Sequence, residues 1–248
     1  MNSIVQKIES LDEVKERNER KIKLFINSGN PDLIKLGEMM KRCRKKNRCN
    51  CLVCSVCLRR FRLRFLKKYL PKLQTLFKDY DLYLATVICN VPVNMATDSM
   101  DTFKSWFYKK LKDNHLDGLI FVGGIDYSFN LAKNQSYLPY WCQHLHFIVA
   151  TNHKRFVQEA LSKIFIKDGV RLKKPPQLDA LKDLDDIVGV TNYSIPSYFE
   201  KRYKQKNGRT NHWSLNSKLE KEIALFLARN SPEDLKVEQN ISNMGGAI

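Results

Sequence analysis

Five of the chain's seven cysteines fall within the 15 positions from Cys43 to Cys57, in the order Cys43-x5-Cys49-x-Cys51-x2-Cys54-x2-Cys57. No other feature restricts the fold so tightly. Thiolates at such short intervals can close on one tetrahedral Zn2+, and so polar a stretch offers inert thiols little apolar interior. Cys43, Cys49, Cys54 and Cys57 make the most economical set, because Cys51 lies too near Cys49 for both to chelate comfortably. Replacement of one of the four by Cys51 stays open. A structural Zn2+ is expected here, and Cys89 and Cys142 read as core thiols.

Charge narrows the partners. Lys and Arg number 43 against 26 Asp and Glu, a formal charge of +17 over 248 residues. Self-repulsion of that size points to a polyanionic partner, with nucleic acid the first choice. An apolar content of 43% excludes a wholly disordered chain. No apolar run approaches the roughly 18–20 residues of a membrane span, and the opening MNSIVQKIESLDEVKERNERK lacks the apolar core of a signal peptide. A reducing cytoplasm and no membrane partner are therefore expected, with cysteines used as ligands rather than disulfides.

The length suits one domain with additions. Residues 1–40 read as an N-terminal helical extension, 41–79 as the cysteine cluster and a basic helix, 80–210 as the main domain, and 211–248 as a C-terminal helix and tail. Asn30-Pro31-Asp32 is a helix start, with a capping side chain, proline at the first position and an acid in the first turn. The basic helix runs from about Ser55 to Phe77. Beyond it the pattern predicts a strand over Leu82–Cys89, a helix over Asp98–Lys112, strands over Gly118–Phe129 and Trp141–Ala150, a helix from Asn152 to Phe165, and a short strand near Ile187–Thr191. That order is β-α-β-β-α-β. The fold class expected is α+β, a ferredoxin-like (RRM-like) antiparallel sheet with helices on one face. A tyrosine-bearing basic helix is predicted over Pro196–Gln205, and Ser217-Lys-Leu-Glu220 reads as a capping box opening the last helix.

Within the third predicted strand, His144 and His146 stand two apart and so project from one face, while Leu145 and Phe147 point the other way. Two such imidazoles can grip one divalent cation, or they can be ordinary polar-face histidines. Asp126 lies on the preceding strand, where a hairpin would bring its carboxylate alongside; the plainer reading is a residue satisfying a turn. Two histidines and a carboxylate leave positions open for water or phosphate oxygen, which suits Mg2+ or Mn2+. A nucleophile is supplied by Tyr198, with Lys201 one helical turn on to favour the phenolate and neutralise phosphate charge. Tyr193 and Tyr203 are rivals for that role. Gly123-Gly124 marks a place where a backbone or ligand comes close. Arg59, Arg60, Arg62, Arg64, Lys67 and Lys68, interleaved with Phe61, Phe65 and Tyr69, suit DNA phosphates and unstacked bases, or form a solvated helix face.

Taken together, these residues resemble the HUH endonucleases, specifically the rolling-circle replication initiators of plasmids and phages. The resemblance covers about Cys43 to Lys206: the first strand with Thr86, Asp126, His144-Leu145-His146, Tyr198-Phe-Glu-Lys201 and the upstream cysteines. It implies nicking of single-stranded or hairpin DNA at a replication origin, by tyrosine attack assisted by Mg2+ or Mn2+ on His144, His146 and Asp126. The products are a 5′-phosphotyrosine and a free 3′-OH. A host helicase and polymerase are the implied partners. The spacing of the tyrosines, five apart with Pro196 between the first two, favours a single nucleophile. A single-strand transposase of the same chemistry and a non-catalytic zinc-containing RRM-like nucleic-acid-binding protein are the alternatives.

Overall fold

A computed structural model describes residues 9–132, 138–164, 176–196, 199–204 and 210–242. The protein is α+β, built on a curled mixed sheet of seven strands. Three helices precede the sheet: α1 (Leu11–Ile26), α2 (Pro31–Lys41) and α3 (Ser55–Leu76). There follow β1 (Leu82–Val93), α4 (Met100–Asp113), β2 (Ile120–Ala132), β3 (Tyr140–Ala150), α5 (Lys154–Ile164), β4 (Gln177–Ala180), α6 (Leu184–Tyr193), β5 (Glu200–Lys204), β6 (Thr210–Ser214) and α7 (Ser217–Ala228). A single 3-10 turn (Pro232–Leu235) leads into β7 (Lys236–Gln239).

Local signals explain most of these boundaries. The Asn30 side chain accepts from the Asp32 and Leu33 amides and starts α2 with Pro31 inside its first turn. Helix α3 begins at a cysteine N-cap with no side-chain cap of its own. Its first amide, Ser55 N, instead donates to the Oδ1 of buried Asn18 on α1 at 3.0 Å. Two helices far apart in sequence are thereby locked end to side. In α7 the cap is Asn216, accepting from Leu219 N, rather than the predicted Ser217 box; Glu220 is drawn off to Arg20 at 2.7 Å.

The strand order is β4-β1-β3-β2-β5-β6, with β7 also on β2. The outer edge of β2 is divided: β7 pairs antiparallel with Phe121–Gly124, and β5 pairs parallel with Ser128–Ala132. One face of the central strands is apolar. There Phe107 of α4 packs between Phe121 and Phe147, at ring separations of 6.1 and 6.2 Å, and Tyr127 lies against Phe226 of α7.

Two predicted elements are corrected. Ile187–Thr191 is helical, within α6, and the fourth strand lies earlier, at Gln177–Ala180. Asp183 caps α6 by accepting from Asp186 N, acids fill its first turn, and Ile187, Val188 and Thr191 are the buried face of a helix. The predicted helix over Pro196–Gln205 is replaced from Glu200 onward by strand β5, whose backbone is satisfied on both sides by β2 and β6. No helix among the described residues is long and apolar enough to cross a membrane.

Candidate active site and metal centre

The cysteine cluster closes as expected. The sulfurs of Cys43, Cys49, Cys54 and Cys57 all lie within 4.8 Å of one another. Cys57 Sγ is 3.6 Å from both Cys43 and Cys49, and Cys54 Sγ is 4.0 Å from Cys43. A tetrahedral ion with Zn–S bonds of about 2.3 Å requires sulfurs about 3.8 Å apart, so the four can hold a metal such as zinc. The sulfurs are crowded enough to share protons: hydrogen bonds from Cys49 and Cys54 hold Cys57 well below the usual thiol range, and the same contacts with burial push Cys54 up. A thiolate stabilised in this way is what a metal ion binds. Cys51 is buried outside the group.

The histidine strand also takes the expected place. In register, Asp126 faces His144 across the β2–β3 pair, and Thr86 of β1 faces His146 from the other side. Directly opposed residues share a face, so Thr86, Asp126, Ser128, His144 and His146 gather on the side of the sheet away from Phe147. The two imidazoles are parallel, 3° between planes and 6.1 Å between centroids. His144 Nε2 meets Ser128 Oγ at 2.7 Å and His146 Nδ1 meets Thr86 Oγ1 at 3.3 Å. Burial, together with the Arg202 guanidinium, lowers His144 well below its usual range and His146 to about 4. Both rings are neutral at pH 7. His146 Nε2 is buried without a hydrogen-bond partner.

Strand β5 delivers two residues that sequence reasoning missed, Glu200 and Arg202, to the same face. Arg202 Nη1 lies 3.3 Å from His144 Nδ1, its Nη2 3.8 Å from Asp126 Oδ2, and its Nε donates to Glu200 Oε1 at 2.7 Å. Glu200 also meets His212 Nδ1 of β6 at 2.8 Å. Burial raises Asp126 to about 7, against the pull of Arg202. The only signal for these residues in sequence was the alternation of Glu200 and Arg202, which a strand would place on one side.

His144, His146 and Asp126, expected to hold Mg2+ or Mn2+, do not close a site as arranged. The unpartnered His146 Nε2 suits a cation. However, no third ligand atom converges with the histidines among the described residues, and a guanidinium already sits between His144 and Asp126.

The tyrosines separate cleanly. Tyr193 ends α6 and sets its ring against the edge of His146 at 4.9 Å, half exposed to solvent. Burial raises its phenol above the usual range, and Arg202 opposes that rise. The end of α6 reaches the sheet because Gly124 has no side chain: a Cβ there would stand 2.6 Å from both Ser194 O and Ile195 Cδ1. Tyr203 instead stacks on Trp213 at 5.3 Å. Lys201, expected one helical turn from a nucleophile, lies on β5 with its ammonium over the same Trp213 ring. Both belong to the face opposite the histidines, because β5 alternates. Tyr198 lies outside the described residues.

On the basic helix, Arg60, Arg64, Lys67 and Lys68 are exposed, with Arg64 3.7 Å from Glu233. Arg59 donates to Glu9 O at 2.8 Å. Arg62 turns inward, 6% exposed, and donates to Asn192 Oδ1 at 2.7 Å and Asn192 O at 3.3 Å. Asn192 is the residue before Tyr193, so the helix leading from the cysteine cluster holds the end of α6 in place. No protein-family model, no curated protein and no solved structure matches the chain.

Proposed function

We propose that the protein is an HUH-type replication initiator that nicks and rejoins single-stranded or hairpin origin DNA, with Tyr193 as its nucleophile. The observation that carries this reading is the parallel histidine pair with a half-exposed tyrosine at its edge, beside the Arg202 guanidinium. The order β4-β1-β3-β2, with helices in the β1–β2 and β3–β4 connections, supports a ferredoxin-like core beneath it.

In the proposed step Tyr193 Oη attacks the phosphorus in line, and the bond from phosphorus to the 3′ oxygen breaks. The tyrosine proton is lost to the surrounding groups and the departing oxygen gains one, leaving a 5′-phosphotyrosine and a 3′-OH. The adduct preserves a phosphodiester, so a later 3′-OH reverses the step and rejoins the strand. Arg202, beside His144 and Asp126, would offset the charge that builds on the phosphate. Arg62 and Gly124 set where the tyrosine stands. The exposed Arg60, Arg64 and Lys67 supply the salt-dependent grip on the strand. A host polymerase would extend the free 3′-OH while a host helicase unwinds the duplex, and the free thiols suit a reducing cytoplasm.

The test is incubation with a labelled single-stranded origin library, with Mn2+ and with chelator, followed by a denaturing gel. A protein–DNA adduct that disappears in Tyr193→Phe supports the reading. Absence of adduct under every condition favours the second reading, a zinc-containing nucleic-acid-binding protein without catalysis. The observation on that side is the closure of the histidine face by Arg202, Asp126 and Glu200 as an ion-paired network.

A further inference from the structure

Away from the histidine face, a cavity of about 500 Å3 opens between α1, the cysteine loop, α7 and the β5–β6 hairpin. Its polar wall is one side of α1, where Arg17, Arg20 and Lys21 present three cations. Two have acids in reach: Arg17 pairs with Glu9, and Arg20 with Glu220 at 2.7 Å. Lys21 differs. Among the described residues its ammonium hydrogen-bonds the Val53 carbonyl at 3.3 Å, and no carboxylate lies within ion-pair distance of it. Burial lowers its pKa to about 8, with Glu220 opposing from a distance. Beyond the Val53 carbonyl its ammonium has donors to spare. A half-buried ammonium with no carboxylate at hand is costly, and an arriving anion would supply the missing partner.

The rest of the lining mixes apolar Phe25, Phe199, Leu215 and Ile223 with Ser214 and the acids Glu9 and Glu220. A cavity of this size and mixed lining exceeds what a bare phosphate fills, and suits a flat ring system with polar edges carrying one anionic group. Phe199 immediately precedes Glu200, so the cavity and the histidine face lie at the same strand. We infer that this cavity binds a nucleotide unit, with its phosphate on Lys21 and its base against Phe199 and Ile223. The inference does not depend on strand cleavage, since it rests on cavity residues that take no part in the proposed step.

The experiment measures binding of a fluorescent nucleoside monophosphate to the full-length, zinc-loaded Tyr193→Phe protein, which keeps any cleavage out of the readout. Saturable binding is expected, at least about tenfold weaker for the nucleoside without phosphate, and at least about tenfold weaker for inorganic phosphate. Lys21→Met is expected to weaken it by tenfold or more. Ser214→Trp, which narrows the cavity from an exposed position, is expected to do the same without disturbing the core. A short single-stranded oligonucleotide competing at the same site identifies a nucleotide within a strand as the occupant, whereas failure to compete identifies the free mononucleotide. Binding unaffected by both substitutions, phosphate binding as tightly as the nucleotide, or no saturable binding would overturn the inference. None of these results bears on adduct formation, which is scored separately on the gel.

Discussion

The cysteine cluster and the histidine face are both polar constellations suited to a metal, yet the fold prepares them differently. Four sulfurs from one short stretch come together with little else within reach, so their proximity favours a soft cation. The histidine face draws on four strands, β1, β2, β3 and β5, and brings its own cation in the form of Arg202. The difference lies in where the ligands originate. Here the four neighbouring cysteines are placed to close on an ion from outside, whereas the groups gathered from the strands already hold Arg202 among them. Arg62 links the two regions, reaching from the helix that starts in the cluster to the residue before Tyr193.

The largest expected effect breaks the cluster. Small zinc modules gain about 10–16 kcal/mol on binding their ion, comparable to the whole stability of a domain at about 5–15 kcal/mol. Paired Cys54→Ser and Cys57→Ser substitutions, or a strong chelator, should release one Zn2+ per chain and melt α3 from its N-terminus, as read by circular dichroism and metal analysis. Retention of a full, cooperative melt after metal loss would show the cluster to be a passive thiol group. Next in size is Arg62→Met. It removes charged hydrogen bonds to Asn192, each worth about 1.5–3 kcal/mol when the donor is ionised, and should lower the melting midpoint. The adduct yield at saturating DNA should fall further than the same loss of stability produces when introduced elsewhere in α3. Equal losses would mean that Arg62 serves packing alone.

Arg202→Ala sharpens the contrast directly. With the guanidinium gone, Asp126 and the two histidines are free to accept an outside cation, and Mn2+ affinity measured by electron paramagnetic resonance should rise by about tenfold or more, roughly 1.4 kcal/mol. No gain would mean that the histidine face is closed to metal for reasons other than Arg202. The smallest effect belongs to Arg60→Ala. Loss of one exposed phosphate contact should reduce the slope of log affinity against log salt by about one, with little dependence on sequence.

Much of this architecture was legible in the chain. The cysteine spacing, the hairpin of β2 and β3 and the close approach at Gly123-Gly124 follow from local pattern. A Cβ at Gly123 would stand 2.1 Å from His146 O. Ile187–Thr191 misled because its β-branched run imitates a strand, although Asp183 and the acids after it announced a helix. That single exchange left Tyr193 a rival rather than the first choice, since only a helix ending at Tyr193 carries its ring to His146. Arg202 was hidden for a different reason. It reaches the histidines through parallel pairing of β5 with β2, a long-range choice that no local periodicity encodes.

Peptide mapping of the trapped protein–DNA adduct by mass spectrometry tests the assignment of Tyr193 most directly. A nucleotide mass is expected on the peptide containing Tyr193, localised to that side chain. Modification of Tyr198 or Tyr203 instead, with Tyr193 unmodified, would contradict it.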